Sequence, residues 1–259
     1  MGRIIAIANQ KGGVGKTTTA VNLSASLAAA ERSVLLVDMD PQANATSGLG
    51  YPRGTVEHGI YDALADPDSI TDVIVDTELP MLKLIPSTED LAGAEVELVD
   101  TESREYRLKS TLEQVSNQFQ HVFIDCPPSL GLLTINALTA ADAILVPLQS
   151  EYYAMEGLGR LLTTLDKVRA AFNPRLSVEG ILFCMYDGRT NLTKQVEEEV
   201  RSHFDRLVFH TVIPRNVRLG ESPSFGKPVL LYDIQSTGAQ QYLALAKEYL
   251  SREQMTAGH

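Results

Sequence analysis

Lys11-Gly12-Gly13-Val14-Gly15-Lys16-Thr17-Thr18 stands between an apolar, β-branched run at residues 3 to 9 and a helix-favouring run at residues 20 to 28. Glycines let a backbone curl until successive N–H groups point inward, and a helix that starts there adds its positive end, so the segment is built to cradle phosphate. All eight residues are candidate nucleotide contacts. Lys16 is expected to reach the outer phosphates and the Thr17 hydroxyl to bind Mg2+. The ordinary pattern GxxxxGK[ST] is not met, because Gln10 occupies the place of its first glycine. In its stead a second cation, Lys11, lies five residues before Lys16. That arrangement is the signature-lysine variant of the phosphate loop.

Outward from this loop, short apolar runs alternate with longer amphipathic ones. Strands are expected at 3–9, 34–38, 82–85, 122–125, 143–147, 180–185 and 207–212, and helices at 16–30, 89–100, 104–118, 131–140, 154–171, 192–204 and 238–250. Such alternation predicts βα units around a parallel sheet. The fold class is therefore α/β: a single-domain P-loop NTPase with a mostly parallel, twisted sheet flanked by helices. No Pro/Gly/Ser-rich linker divides the chain, so residues 1–259 are expected to form one domain, with 251–259 as a flexible tail.

Composition narrows the function classes. The 22 Lys and Arg against 33 Asp and Glu give a net charge of −11, which rules out a globally basic nucleic-acid binder and leaves room only for a local basic patch. No run reaches the roughly 18 apolar residues that a membrane-spanning helix needs. The N-terminal run turns polar at Asn9, before a signal-peptide core could form, so a cytoplasmic protein is expected. Cys126 and Cys184 are the only cysteines and form no CxxC, which supports neither a disulfide framework nor a four-cysteine metal site.

Polar signals follow several strands, where an open α/β sheet places its ligand crevice. Asp125 closes the run Val122-Phe123-Ile124, the position of an acid that holds Mg2+ directly or through water. Asp38 and Asp40 follow another strand, and Pro41 encourages a turn after Asp40. Either carboxylate could serve only to punctuate the strand end. No separate strong base is visible, so hydrolysis is expected to be slow until an activator arrives.

Through four ordered motifs the chain resembles the ParA/MinD family of P-loop ATPases, closest to the short chromosomal ParA (Soj) branch. They are the loop at 11–18, Val37-Asp38-Met39-Asp40-Pro41-Gln42, Phe123-Ile124-Asp125-Cys126-Pro127-Pro128 and Ile213-Pro214-Arg215-Asn216-Val217-Arg218. The resemblance implies ATP/ADP and Mg2+ as cofactors, and a homodimer that sandwiches two ATP molecules, Lys11 of each copy contacting the phosphates held by the other. It implies Lys11, Lys16 and Asp40 as catalytic residues, Asp40 positioning the attacking water. Thr17, Asp40 and Asp125 would serve the metal. It also implies that Pro214 and Asn216 read adenine; Met185 either packs on the base or belongs to the core. Arg189 and Arg218, with Lys227 as an extension, match positions that bind double-stranded DNA without reading sequence. Dimerisation would pair two such patches and make DNA binding ATP-dependent. A ParB-type (Spo0J-like) centromere-binding protein is the implied activator, and the nucleoid the implied location.

Three rivals remain. A MinD-like membrane ATPase would need a C-terminal amphipathic helix, whereas residues 247–259 are polar without a basic-apolar face. A reductase of the nitrogenase-iron-protein type would need cluster cysteines that Cys126 and Cys184 do not supply in suitable places. A cargo-positioning relative using the same cycle would carry the same motifs, so that alternative stays open.

Overall fold

The computed structural model describes residues 2–257. Seven strands form one sheet in the order β3-β4-β2-β5-β1-β6-β7. They are β1 (Arg3–Ile7), β2 (Val34–Asp38), β3 (Val75–Asp76), β4 (Leu82–Ile85), β5 (His121–Asp125), β6 (Ala143–Gln149) and β7 (Ser177–Cys184). Every pairing is parallel except the two-residue β3 edge, which runs antiparallel to β4. Buried on both faces, the central strands read as continuous apolar runs rather than alternating ones, as parallel sheets demand.

Helices cover both faces. On one, α1 (Lys16–Ala29) packs with α11 (Thr237–Ala257) against Ile5, Ile7, Leu36 and Phe123. On the other, α5 (Arg107–Glu113), α6 (Leu132–Ala140), α7 (Ala154–Ala171) and α8 (Asn191–Phe204) meet Ala6, Val37, Ile124 and Val146. Shorter helices lie between: α2 (Asn44–Gly48), α3 (Ile60–Ala65), α4 (Leu91–Glu97), α9 (Val217–Glu221) and α10 (Val229–Tyr232). The register aligns Ile7 with Asp125 and Asp125 with Asp38, so the loops after β1, β2 and β5 leave the sheet side by side. This is where the chain winds outward in both directions, the place an open α/β sheet binds its ligand.

Three expectations need correction. Residues 207–212 are not a strand; they make only the isolated bridge of Val208 to Ile181. The reason lies in α11, whose Glu248 carboxylate accepts from the backbone N–H of His210 and of Thr211, each at 2.8 Å, taking donors a ladder would use. The expected flexible tail is helical as far as Ala257, because α11 runs on and Arg252 donates at 2.7 Å to both the Val208 carbonyl and Glu248. Gly258 and His259 lie outside the described residues. The helix expected at 104–118 breaks into α5 and two 3-10 turns, with Asn136 Oδ1 accepting from Leu108 N at 3.1 Å to start α5.

Candidate nucleotide site and nucleic-acid face

The phosphate loop takes its shape from two glycines in the left-handed region, Gly13 at φ 72° and Gly15 at φ 97°. Gly15 is doubly constrained, since a Cβ there would meet Cys184 Cβ at 3.3 Å. Asn9 anchors the start of the loop, donating to the Pro147 carbonyl at 2.7 Å and accepting from Lys11 N at 3.0 Å. Behind it Asn22 braces α1 against α10, accepting from Val229 N at 2.7 Å. At Gly12 the geometry is different: an added Cβ would meet nothing within 4 Å.

The two lysines of the loop occupy unlike environments. Lys16 is buried and donates to the Lys11 carbonyl at 3.2 Å. Burial lowers its pKa, opposed chiefly by the neighbouring Asp125 and Asp40. Lys11 points outward, its side chain half exposed, and pairs with Glu151 on the segment after β6.

Three aspartates cluster here, Asp125 and Asp40 beside Lys16 and Asp38 beside those two. Asp38 is fully buried and well satisfied: one oxygen accepts from Thr46 N at 2.8 Å and Thr46 Oγ1 at 2.7 Å, the other from Asp40 N at 3.2 Å. Burial nevertheless raises its pKa to about 6. Asp38 thus does the structural work that its place in the sequence left open, pinning α2 to the end of β2. Asp40 Oδ1 accepts from Gln42 N at 2.9 Å, which holds the turn before α2. Asp125 is fully buried, and neither carboxylate oxygen meets hydrogen-bond geometry with a donor among the described residues. Burial first, then Asp38, push its pKa well above the carboxylate range, against the opposing influence of the Thr17 hydroxyl and Lys16. An orphaned buried acid of this kind costs stability unless something binds it. A divalent cation suits such an acid: Asp125 and Thr17 offer hard oxygen donors beside the loop, with Asp40 near. Among the described residues no trio of His, Cys, Asp and Glu could hold a metal unaided. Phosphate oxygens and water would complete such a shell, the usual arrangement for Mg2+.

Beyond the loop lies a cleft of about 410 Å³ lined by Gly15, Thr18, Met185, Pro214, Asn216 and Tyr242. The expected base-reading residues are therefore together, along one wall of the loop. Met185 sits at φ 50° and its sulfur accepts from Gln149 Nε2 at 3.4 Å, so it lines the cleft rather than the core. Asn216 Oδ1 already accepts from Arg218 N at 3.0 Å as the cap of α9, leaving its NH2 group to donate to a base edge.

The stretch that carries Arg189 is joined to the one that leads into α9, which carries Arg218, by a bridge between Tyr186 and Pro214. Both are ion-paired: Arg189 with Asp187 at 2.6 Å, and Arg218 with Glu221 at 2.8 Å and Asp233 at 3.1 Å. Lys227 stands 3.2 Å from Glu78. Sequence reading missed these carboxylates and Glu151. Asp187 and Glu221 carried a signal, two and three residues from their arginines; Asp233, Glu78 and Glu151 carried none, since only folding brings them close.

The rivals fare unequally. Cys126 and Cys184 are both buried and free, and burial raises both thiols, Cys184 to about 12. Neither offers an exposed thiolate for a cluster shared between subunits. In α11 the apolar residues Tyr242, Leu245, Ala246 and Tyr249 are buried in the core, so that face is already covered. Among the described residues no helix is long and apolar enough to cross a membrane.

Comparison with known proteins agrees with this geometry. Residues 2–178 match the family model described as an AAA domain. The chromosome partitioning protein ParA of Myxococcus xanthus is 56% identical over 253 residues, covering 98% of this chain and 89% of that protein. The sporulation initiation inhibitor protein Soj of Bacillus subtilis is 58% identical over 248 residues, covering 96% and 98%. Among solved structures, cobyrinic acid a,c-diamide synthase from Mycobacterium smegmatis with bound ATP analog and magnesium superposes with a TM-score of 0.84 at 38% identity, covering 95% of this chain and 93% of that one. The chain belongs to the ParA/MinD family of P-loop ATPases, in its Soj-like branch.

Proposed function

We propose that this member of the Soj-like branch is an ATP-hydrolysing DNA-partitioning protein, with one P-loop domain spanning residues 1–259, whose ATP-bound form is a dimer that holds DNA without sequence preference. The observation that carries the reading is the division of roles between two lysines on one loop. Lys16 is buried near the aspartates, where it would neutralise phosphate oxygens held by its own loop. Lys11 is turned to the rim, parked on Glu151, where it would serve a phosphate brought up by a second copy. Gly12 beside it leaves space that this chain does not fill, as a close approach between copies requires.

ATP or ADP with Mg2+ fits the site, and the solved relative holding an ATP analog and magnesium supports that assignment. When bound, the cation supplies charge neutralisation for phosphoryl transfer. The remaining work belongs to this chain. Loop amides of residues 12–18 orient the phosphates, Lys16 stabilises charge on them, Thr17 and Asp125 hold the metal, and Asp40 orients the attacking water. Met185, Pro214 and Asn216 would hold adenine. The site contains no strong base, so turnover is slow and waits on a ParB-type partner; released copies leave the nucleoid, and the cycle acts as a timer. The names of the M. xanthus and B. subtilis relatives support partitioning as the task.

The test is a DNA titration with ATP, ADP and no nucleotide, each at two salt concentrations. Binding confined to the ATP state, weakening steeply with salt, is expected. Equal affinity in all three states would remove the link between nucleotide and DNA.

A further inference from the structure

The face assigned to DNA is electrically balanced against itself. Arg189 lies on the loop after β7, Arg215 on the segment that leads into α9 and Arg218 on α9 itself; the two stretches are joined by the Tyr186–Pro214 bridge and by Arg215 N donating to the Tyr186 carbonyl at 3.4 Å. Asp187 holds Arg189, and Glu221 and Asp233 hold Arg218, at 2.6 to 3.1 Å. Lys227 is occupied in the same way by Glu78. Arg215 is exposed and makes no direct salt bridge among the described residues, though its charge helps hold the Asp187 carboxyl below the usual range.

Resting on the DNA-binding reading above, we propose that Asp187, Glu221, Asp233 and Glu78 compete with DNA phosphates for these cations, holding the affinity of a single copy so low that only the paired dimer binds. A phosphate that docks on Arg189 must displace Asp187, and one that docks on Arg218 must displace two acids. Exposed pairs are weak, so each displaced acid lowers affinity by only about two- to fivefold. Spread over both copies of a dimer the penalty is tolerable, because the second patch binds intramolecularly. For one copy it is not, since Arg215 is then the one cation of this group without a direct ion pair, and its charge is itself shared with Asp187. Competition also leaves a mark on the salt dependence. A cation that trades a carboxylate for a phosphate releases a counterion from DNA but exposes an acid that recruits one. The slope of log affinity against log salt is then shallower than the number of contacting cations implies.

The experiment uses the full chain with Asp187→Asn and Asp233→Asn combined, and separately Glu78→Gln with Glu221→Gln. The introduced asparagines keep acceptors for the turn bonds from Arg189 N and Gln235 N, both at 3.2 Å. The glutamines lie outside those turns and give a second route should the first pair fold poorly. Affinity for a mixed-sequence duplex is measured with ATP and with ADP across a salt series. The expected result for the first pair is about tenfold tighter binding at low salt, a steeper slope, and measurable binding in ADP. Unchanged affinity and slope in both variants would overturn the competition while leaving the DNA face intact. If Arg189→Glu with Arg218→Glu retained wild-type affinity, the face itself would be misplaced and this inference would fall with it.

Discussion

Replacing Asp125 by asparagine tests the metal pocket through stability as well as activity. In the folded chain the Asp125 carboxyl is fully buried, has no donor within strict hydrogen-bond geometry on either oxygen among the described residues, and is pushed well above its ordinary pKa by burial and by Asp38, against a weaker pull from the Thr17 hydroxyl. In the unfolded chain it titrates near pH 4. Below that pH both states hold the proton and nothing is lost. As the pH rises further, the unfolded state releases its proton while the folded state keeps it, so stability falls by about 1.4 kcal/mol per pH unit until the raised folded value is passed. Asp38, raised to about 6, adds a decline of its own over the lower part of that window in both proteins. The asparagine of the variant cannot ionise, so the difference between variant and wild type isolates Asp125. In chelator, melts followed by circular dichroism at rising pH above about 4.5 should show the variant gaining on the wild type, by about 3 to 5 °C per pH unit while the folded carboxyl keeps its proton. Mg2+ with nucleotide should reverse the order, stabilising the wild type and adding little to the variant. Parallel pH curves for the two proteins in chelator would refute the orphaned-acid reasoning. An undiminished Mg2+ response in the variant would remove Asp125 from the metal site.

Gly12→Val should melt within about 1 °C of the wild type, since the added side chain starts in open space, yet fail to give the ATP-dependent dimer. Thermal melts and light scattering check the two halves, and a normal dimer would move Gly12 away from the interface. For Asp40→Ala the expected outcome is a persistent ATP-bound dimer with phosphate release down by about two or more orders of magnitude, because the water-orienting carboxylate is gone. Wild-type phosphate release would take Asp40 out of that role. Glu248→Ala removes the acceptor shared by His210 N and Thr211 N and should cost about 2 to 4 kcal/mol in urea unfolding. Because folding lowers the Glu248 pKa through these two bonds and Arg252, against the opposing effect of burial, that cost should be full above about pH 5 and shrink as acid protonates the carboxylate. A cost that is flat with pH would assign the effect to packing alone.

The parts of this fold that were legible from sequence are those where local chemistry and global position agree. The loop at 11–18 could be read because glycines at positive φ, a buried lysine and a helix start are all local demands, and β2, β4 and α7 fall where their apolar runs predict. Residues 207–212 misled for the opposite reason: their apolar pattern suits a strand, but a carboxylate 37 residues away takes the amides. The roles of Asp38 and Asp40 became distinct only through the grip of Thr46 on the first. Likewise the cations at 189, 218 and 227 were visible as charges, whereas the acids that occupy them are set by tertiary packing at Asp233 and Glu78. Met185 could be core or cleft by composition, and its place on the wall of the cleft is set by the fold.

The most direct measurement is the mass of the wild-type chain by sedimentation under saturating Mg-ATP with hydrolysis blocked, beside Lys11→Ala under the same conditions. A dimer for the wild type, and a nucleotide-bound monomer for the variant, is the predicted result. A wild-type chain that stays monomeric, or a variant that dimerises equally well, would contradict the claim that Lys11 reaches across to a second copy.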